Sequence, residues 1–134
     1  MKLYYLNIYG RGEPIRMMLW KAGVQYEDIR INPGPDWQKF KKSGILPNEQ
    51  VPMLELQDGT KMTQHHAIMH YLSMQLGFNA SNHLDLYTGE HIYSRFLEDF
   101  SMKYLFRARS MSDDDPKKKE FVAEIFKTHY PAFL

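Results

Sequence analysis

The chain has 134 residues, 43% hydrophobic and 25% charged, with 17 basic residues set against 16 acidic ones. That length buries one good core, or one small domain beside a helical layer, and so even a charge balance creates no field to draw in nucleic acid or an anionic membrane. The lack of cysteine excludes disulfides, thiolate metal sites and Cys-x-x-Cys redox chemistry, so any thiol chemistry has to come from a ligand.

No apolar run approaches the roughly 20 residues that span a bilayer, and Met1-Lys2-Leu3-Tyr4-Tyr5 lacks the apolar region of a signal peptide, so a cytoplasmic location is expected. Lys117-Lys118-Lys119 follows Asp113-Asp114-Asp115, and the two blocks largely cancel beyond a Debye length, which predicts a solvated face.

Residues 3–8 form a short apolar and aromatic run, as a buried strand does, and Gly10 and Gly12 break it. A helix follows: Pro14 suits its first turn, Ile15, Met18, Leu19 and Ala22 fall at helical spacing, and Gly23 stands where a left-handed cap is wanted. Residues 26–31 read as a second strand, Asn32-Pro33-Gly34-Pro35 as a loop, and residues 37–42 as a short helical or irregular segment. Residues 51–56 and 60–62 flank Gln57-Asp58-Gly59, whose Asp-Gly pair signals a hairpin. Ala67, Ile68, Tyr71, Leu72 and Leu76 then line one helix face that Gly77 closes.

Gln50-Val51-Pro52-Met53-Leu54 is the most telling stretch, because proline cannot donate where the ladder should begin. The backbone must bend there, a cis bond being one way to do so, and this leaves the N–H and C=O of Val51 to pair with an extended peptide. Thr63-Gln64-His65-His66 opens the following helix, whose start favours an anionic group. Together these suggest a socket for a short acidic peptide; the rival reading is an edge-strand proline followed by an ordinary helix.

The order strand, helix, strand, loop, hairpin, helix matches a thioredoxin-like α/β domain over residues 1–78. From residue 79 the character changes: residues 78–83 read as a linker, and Ile92, Phe96, Phe100 and Tyr104, joined by Leu97 and Leu105, predict one long helix to about Arg107. Asp115-Pro116 is a cap and first-turn pair for another helix, with Phe121, Val122, Ile125 and Phe126 as its buried face. Residues 79–134 are therefore expected to form part of an all-helical domain.

Four stretches in this order carry a resemblance to the cytosolic glutathione transferases, most closely the sigma class: Leu3-Tyr4-Tyr5-Leu6-Asn7, Arg11-Gly12-Glu13-Pro14-Ile15-Arg16, Gln50-Val51-Pro52-Met53-Leu54, and Thr63-Gln64-His65-His66-Ala67-Ile68 with Tyr71-Leu72. The resemblance implies a thioredoxin-like glutathione-binding domain, the start of the family's all-helical domain, and glutathione as co-substrate without a further cofactor or metal. Only the thiolate of glutathione attacks well, and its thiol is mostly protonated near neutral pH. By resemblance the Tyr5 hydroxyl donates to that sulfur and lowers its pKa, whereas Tyr4, Tyr9 and Tyr26 are read as core aromatics. Likewise Val51, between Gln50 and Pro52, would pair through its backbone with the cysteine moiety, and Trp37 and Lys41 would hold the glycine carboxylate. Gln64 and His65 would hold the γ-glutamyl end, and Asp99 would reach across a dimer to the ligand's amino group. Loop packing is the rival role for Trp37, surface charge for Lys41, and a solvent-facing helix position for Asp99.

The chain departs from the family pattern where His65 replaces a serine, where Tyr9 stands in place of an arginine, and in stopping at Leu134. An imidazole at His65 would make binding weaker or pH-dependent. The short helical part would expose core surface or meet a partner. His66 and His70, at i and i+4, raise a metal site, against which surface or interface histidines are the favoured reading; the nine methionines are read as core filling. The function expected is conjugation of the glutathione thiolate to an electrophilic small molecule, a detoxification activity, by a homodimer. The alternative is a non-catalytic structural or scaffold subunit.

Overall fold

The computed structural model describes residues 1–133, so of the two apolar residues that close the chain Leu134 lies outside the described residues. Two compact units are present, Met1–Asn79 and the segment from Ala80 onward. In the first unit β1 (Lys2–Leu6), a 3₁₀ turn (Gly10–Gly12), α1 (Glu13–Lys21) and β2 (Glu27–Ile31) are followed by α2 (Pro35–Lys41), β3 (Met53–Glu55), β4 (Lys61–Thr63) and α3 (His65–Leu76). The four-stranded sheet runs β2-β1-β3-β4. β1 is parallel to β2, as a helical crossover requires, and antiparallel to β3, which forms a hairpin with β4. This is the thioredoxin-like arrangement that the order of elements predicts.

Side chains alternate across the sheet and so split the core in two. Leu3 and Leu54 point to one face and pack with Ile15 and Leu19 of α1 and Ile68 and Leu72 of α3. Tyr4 and Met53 point to the other and pack with Leu46 and the partly buried Trp37 and Phe40. Each fully buried aliphatic side chain contributes about 1.5–3 kcal/mol relative to exposure. Gly23 and Gly77 both take positive φ just beyond α1 and α3, the left-handed conformation expected of a helix stop. Pro35 does not belong to the loop read from the sequence; it opens α2, where its missing N–H costs nothing.

One further reading needs correction in this unit. Tyr9 is not a core aromatic: it precedes the 3₁₀ turn and is 77% exposed. Arg16, conversely, lies on α1 at 5% exposure. Its Nε donates to Asp28 of β2 at 3.1 Å, and its Nη1 donates to Glu13 at 3.0 Å and to the Ile8 carbonyl at 3.2 Å.

The second unit is helical. Asn82 caps α4 (His83–Ser94) by accepting the Asp85 N–H at 2.9 Å. The chain continues as a π-helix over Arg95–Leu105 and then as α5 (Phe106–Ser110). The expected long helix is thus present but not α-helical throughout. The four-residue recurrence of Phe96, Phe100 and Tyr104 exceeds the 3.6-residue α-period and suits the wider i→i+5 bonding. Asp115 caps α6 (Pro116–Glu124) by accepting the Lys117 N–H at 2.9 Å, as its pairing with Pro116 predicts. A second π-helical stretch, Ile125–His129, leads into α7 (Tyr130–Phe133). Phe100, Ala108 and Ile125 form the core, with Tyr104, Phe121 and Val122 packed on it. Phe126, expected on the buried face, is 58% exposed, while Ile125 beside it is buried. Lys118 bonds Asp113, so the charge blocks meet at this loop. Among the described residues no helix is long and apolar enough to cross a membrane.

Candidate functional site

Tyr5 is the penultimate residue of β1. Asn7 still donates to the Ile31 carbonyl at 2.7 Å, and the 3₁₀ turn then folds back. That turn brings the Arg11 N–H to the Tyr5 oxygen at 2.9 Å. The phenol accepts this bond and keeps its own proton to give. Two glycines permit the approach. A β-carbon on Gly12 would come within 2.4 Å of the Tyr5 ring, and one on Gly10 within 2.8 Å of its hydroxyl, while Gly10 also has a φ of +65°. The Arg16 guanidinium lies 5.7 Å from the ring centroid, a cation–π distance.

A cavity of about 290 Å³ opens nearby, lined by Leu6, Arg11, Trp37, Glu49, Gln50, Val51, Pro52, Gln64 and His65. Each wall is positioned by its element. Trp37 comes from α2; Gln50, Val51 and Pro52 come from the segment entering β3, with a cis bond between Val51 and Pro52. Gln64 and His65 come from the start of α3, the positive end of its dipole. Gln64 donates from Nε2 to Gln50 Oε1 at 3.1 Å, tying two walls together. Glu49 and Gln64 hold φ of +53° and +69°, conformations that cost non-glycine residues of order 1–3 kcal/mol and gather at ligand sites. His65 is buried, at 9% exposure. Burial, joined by the positive charges of Arg11 and His66, pushes its imidazole below the ordinary histidine value.

The residues named from the sequence thus divide. Trp37, Gln50, Val51, Pro52, Gln64 and His65 meet at one cavity. Tyr5 is not part of its lining but bonds Arg11, which is. Lys41 does not line it either; its Nζ sits 3.3 Å from Glu49. Asp99 is exposed on the π-helical stretch of the second unit. Arg11 and Glu49 were given no role by the sequence. For Arg11 the signal was its place between two glycines at the end of a strand, which lets a backbone N–H turn back on that strand. His66 and His70 sit on α3 with ring centroids 4.7 Å apart.

A cleft with a cis-proline segment that offers backbone to an extended ligand and a helix start for an anion, beside a tyrosine hydroxyl held near the end of a strand, can seat a small acidic peptide. Residues 1–74 match the family described as Glutathione S-transferase, N-terminal domain. The chain belongs to the glutathione S-transferase family. It is 33% identical to glutathione S-transferase P 10 of Caenorhabditis elegans over 142 residues, 99% of this chain and 66% of that protein. It is 34% identical to S-crystallin SL18 of Nototodarus sloanii over 99 residues, 74% of this chain and 31% of that protein. Among solved structures it superposes on prostaglandin synthase D of Nilaparvata lugens with a TM-score of 0.83 at 32% identity, covering 98% of this chain and 63% of that one. The chain therefore spans about a third to two thirds of the length of these relatives.

Proposed function

We propose that the protein binds glutathione in this cavity and conjugates its thiolate to an electrophilic small molecule. The observation that carries the reading is the gathering of Trp37, Gln50, Val51, Pro52, Gln64 and His65 around one cavity beside a tyrosine whose oxygen already accepts the Arg11 N–H. That bond leaves the Tyr5 proton to donate to sulfur, which favours the thiolate over the thiol. Val51 pairs with the peptide backbone of the ligand, Trp37 donates its indole N–H to the glycine carboxylate, and Gln64 with His65 holds the γ-glutamyl end. Lys41 joins the glycine carboxylate by leaving Glu49, an exchange that costs little because an exposed ion pair is worth about 0–1 kcal/mol. In a homodimer the exposed Asp99 of one protomer serves the ligand amino group of the other. The work is detoxification in the cytoplasm, and no metal enters it.

Calorimetric titration with glutathione, followed by a conjugation assay with a chlorodinitrobenzene, tests this. Binding is expected to survive Tyr5→Phe, while turnover falls about 10²-fold, the usual loss for one donor to a developing anion. The similarity to S-crystallin SL18 supports a second reading, a subunit that keeps the fold without turnover. Glutathione binding with no conjugation in the unaltered protein decides for it.

A further inference from the structure

Enclosing a guanidinium is costly even when it is paired, and apolar groups can often replace a buried ion pair without loss of stability. Arg16 is nevertheless only 5% exposed, so stability alone is a weak reason for its place on α1. Its fork joins three segments. Nε donates to Asp28 of β2, and Nη1 donates both to Glu13, at the start of α1, and to the Ile8 carbonyl at 3.2 Å. Ile8 lies midway along the chain that runs from Tyr5 back to Arg11, and its own N–H donates to the Leu6 carbonyl at 2.7 Å. The peptide units on both sides of Ile8 are thus held, one by backbone and one by Arg16. Gly10 then turns the chain at a φ of +65° and returns the Arg11 N–H to the Tyr5 oxygen. The guanidinium also lies 5.7 Å from the centroid of the Tyr5 ring, so one side chain borders the phenol and anchors the turn that bonds it.

We propose that Arg16 is a positioning residue for thiol activation: it fixes the Ile8 carbonyl, and through it the Arg11 N–H, so that the Tyr5 hydroxyl is held ready to donate to the sulfur. The inference rests on the glutathione reading and adds to it the residue that sets the donor. A hydroxyl that accepts one hydrogen bond is strengthened as the donor of the next, and a stronger donor to sulfur favours the thiolate. The action is geometric. Glu13 and Asp28 both lie against the guanidinium, and Arg30 shares Asp28, so the group carries little net field to the sulfur. A lysine here keeps the charge but lacks the planar fork that reaches Asp28, Glu13 and Ile8 at once.

The test is Arg16→Lys in the full chain. S-methylglutathione, which has no thiol, reports on the cavity, whose lining does not include Arg16, and its calorimetric affinity should be unchanged. Bound glutathione, followed by the ultraviolet absorbance of its thiolate, should ionise about one pH unit higher than in the unaltered protein. Turnover with a chlorodinitrobenzene should fall about tenfold near pH 6.5 and recover as the pH rises toward the ordinary thiol value near 8.5. Asp28→Asn keeps an acceptor for Nε but loosens the fork, and should move the ionisation the same way by less. An unchanged ionisation in Arg16→Lys, or in Asp28→Asn should Arg16→Lys not fold, overturns the inference and leaves the glutathione reading standing. So does a rate lowered by the same factor at every pH, or a loss of S-methylglutathione binding in the variant, either of which gives Arg16 a structural role alone. Failure of glutathione to bind the unaltered protein overturns both.

Discussion

Tyr5 owes its position to what its neighbours lack. Gly12 has φ of −81°, so an alanine there meets no backbone strain; its β-carbon meets the Tyr5 ring instead, 2.4 Å away. Gly12→Ala is therefore expected to cost about 1–3 kcal/mol by overpacking, read from urea unfolding, and to lower conjugation by moving the phenol. His65 carries a second expectation at this scale. Its folded-state imidazole sits below the ordinary value near 6.5, so the folded protein binds fewer protons than the unfolded chain. Stability from this group is full above that ordinary value, declines as pH falls through it, and levels off below the folded value. His65→Gln should flatten unfolding free energy between pH 7.5 and pH 5, and an unchanged slope in the variant would assign the dependence to other groups.

Between elements, the α1 to β2 connection is held by a buried charge. Arg16 is almost wholly enclosed, while Glu13 and Asp28 keep some exposure and Asp28 also pairs with Arg30 at 2.7 Å. Removing the arginine leaves carboxylates that still reach water, whereas removing Asp28 leaves an enclosed guanidinium with less to offset its burial, and its Nη2 already lacks a hydrogen-bond partner among the described residues. Asp28→Ala is thus expected to destabilise by about 3 kcal/mol, more than Glu13→Ala, in matched denaturant titrations. This pairing also marks where sequence reading stops. The apolar spacing of Ile15 and Leu19, the Asp-Gly hairpin and the glycine stops are local signals, and each element they predict is present. An arginine in an amphipathic pattern reads as surface, and its burial follows only when β2 brings Asp28 against α1. The cavity divides in the same way. Its cis-proline segment and helix start carry local signatures at Gln50, Val51, Pro52, Gln64 and His65, whereas the part of Arg11 depends on a backbone N–H folding back across six positions to Tyr5. The π-helical stretch escaped because i→i+4 and i→i+5 bonding draw on nearly the same stripe of aromatic residues.

For the whole molecule, charge and exposed apolar surface set colloidal behaviour together. The formal charge is +1 at pH 7 and the isoelectric point is near 7.9, so near pH 8 little net charge holds copies apart. The first unit exposes Met17, Trp20 and Met74, and the second exposes Leu84, Tyr87, Ile92 and Phe126. Such side chains associate whenever repulsion is weak. Lowering the pH from 8 to 6 moves further from the isoelectric point and makes the net charge more positive, a change to which His65 contributes late because its proton affinity is depressed. The added positive charge should raise the second virial coefficient measured by light scattering from pH 8 to pH 6 at low salt. At 0.5 M salt the Debye length shrinks to about 4 Å, and the difference between the two pH values should largely vanish. A difference that persists in high salt would mean that association responds to pH through a specific contact rather than through net charge.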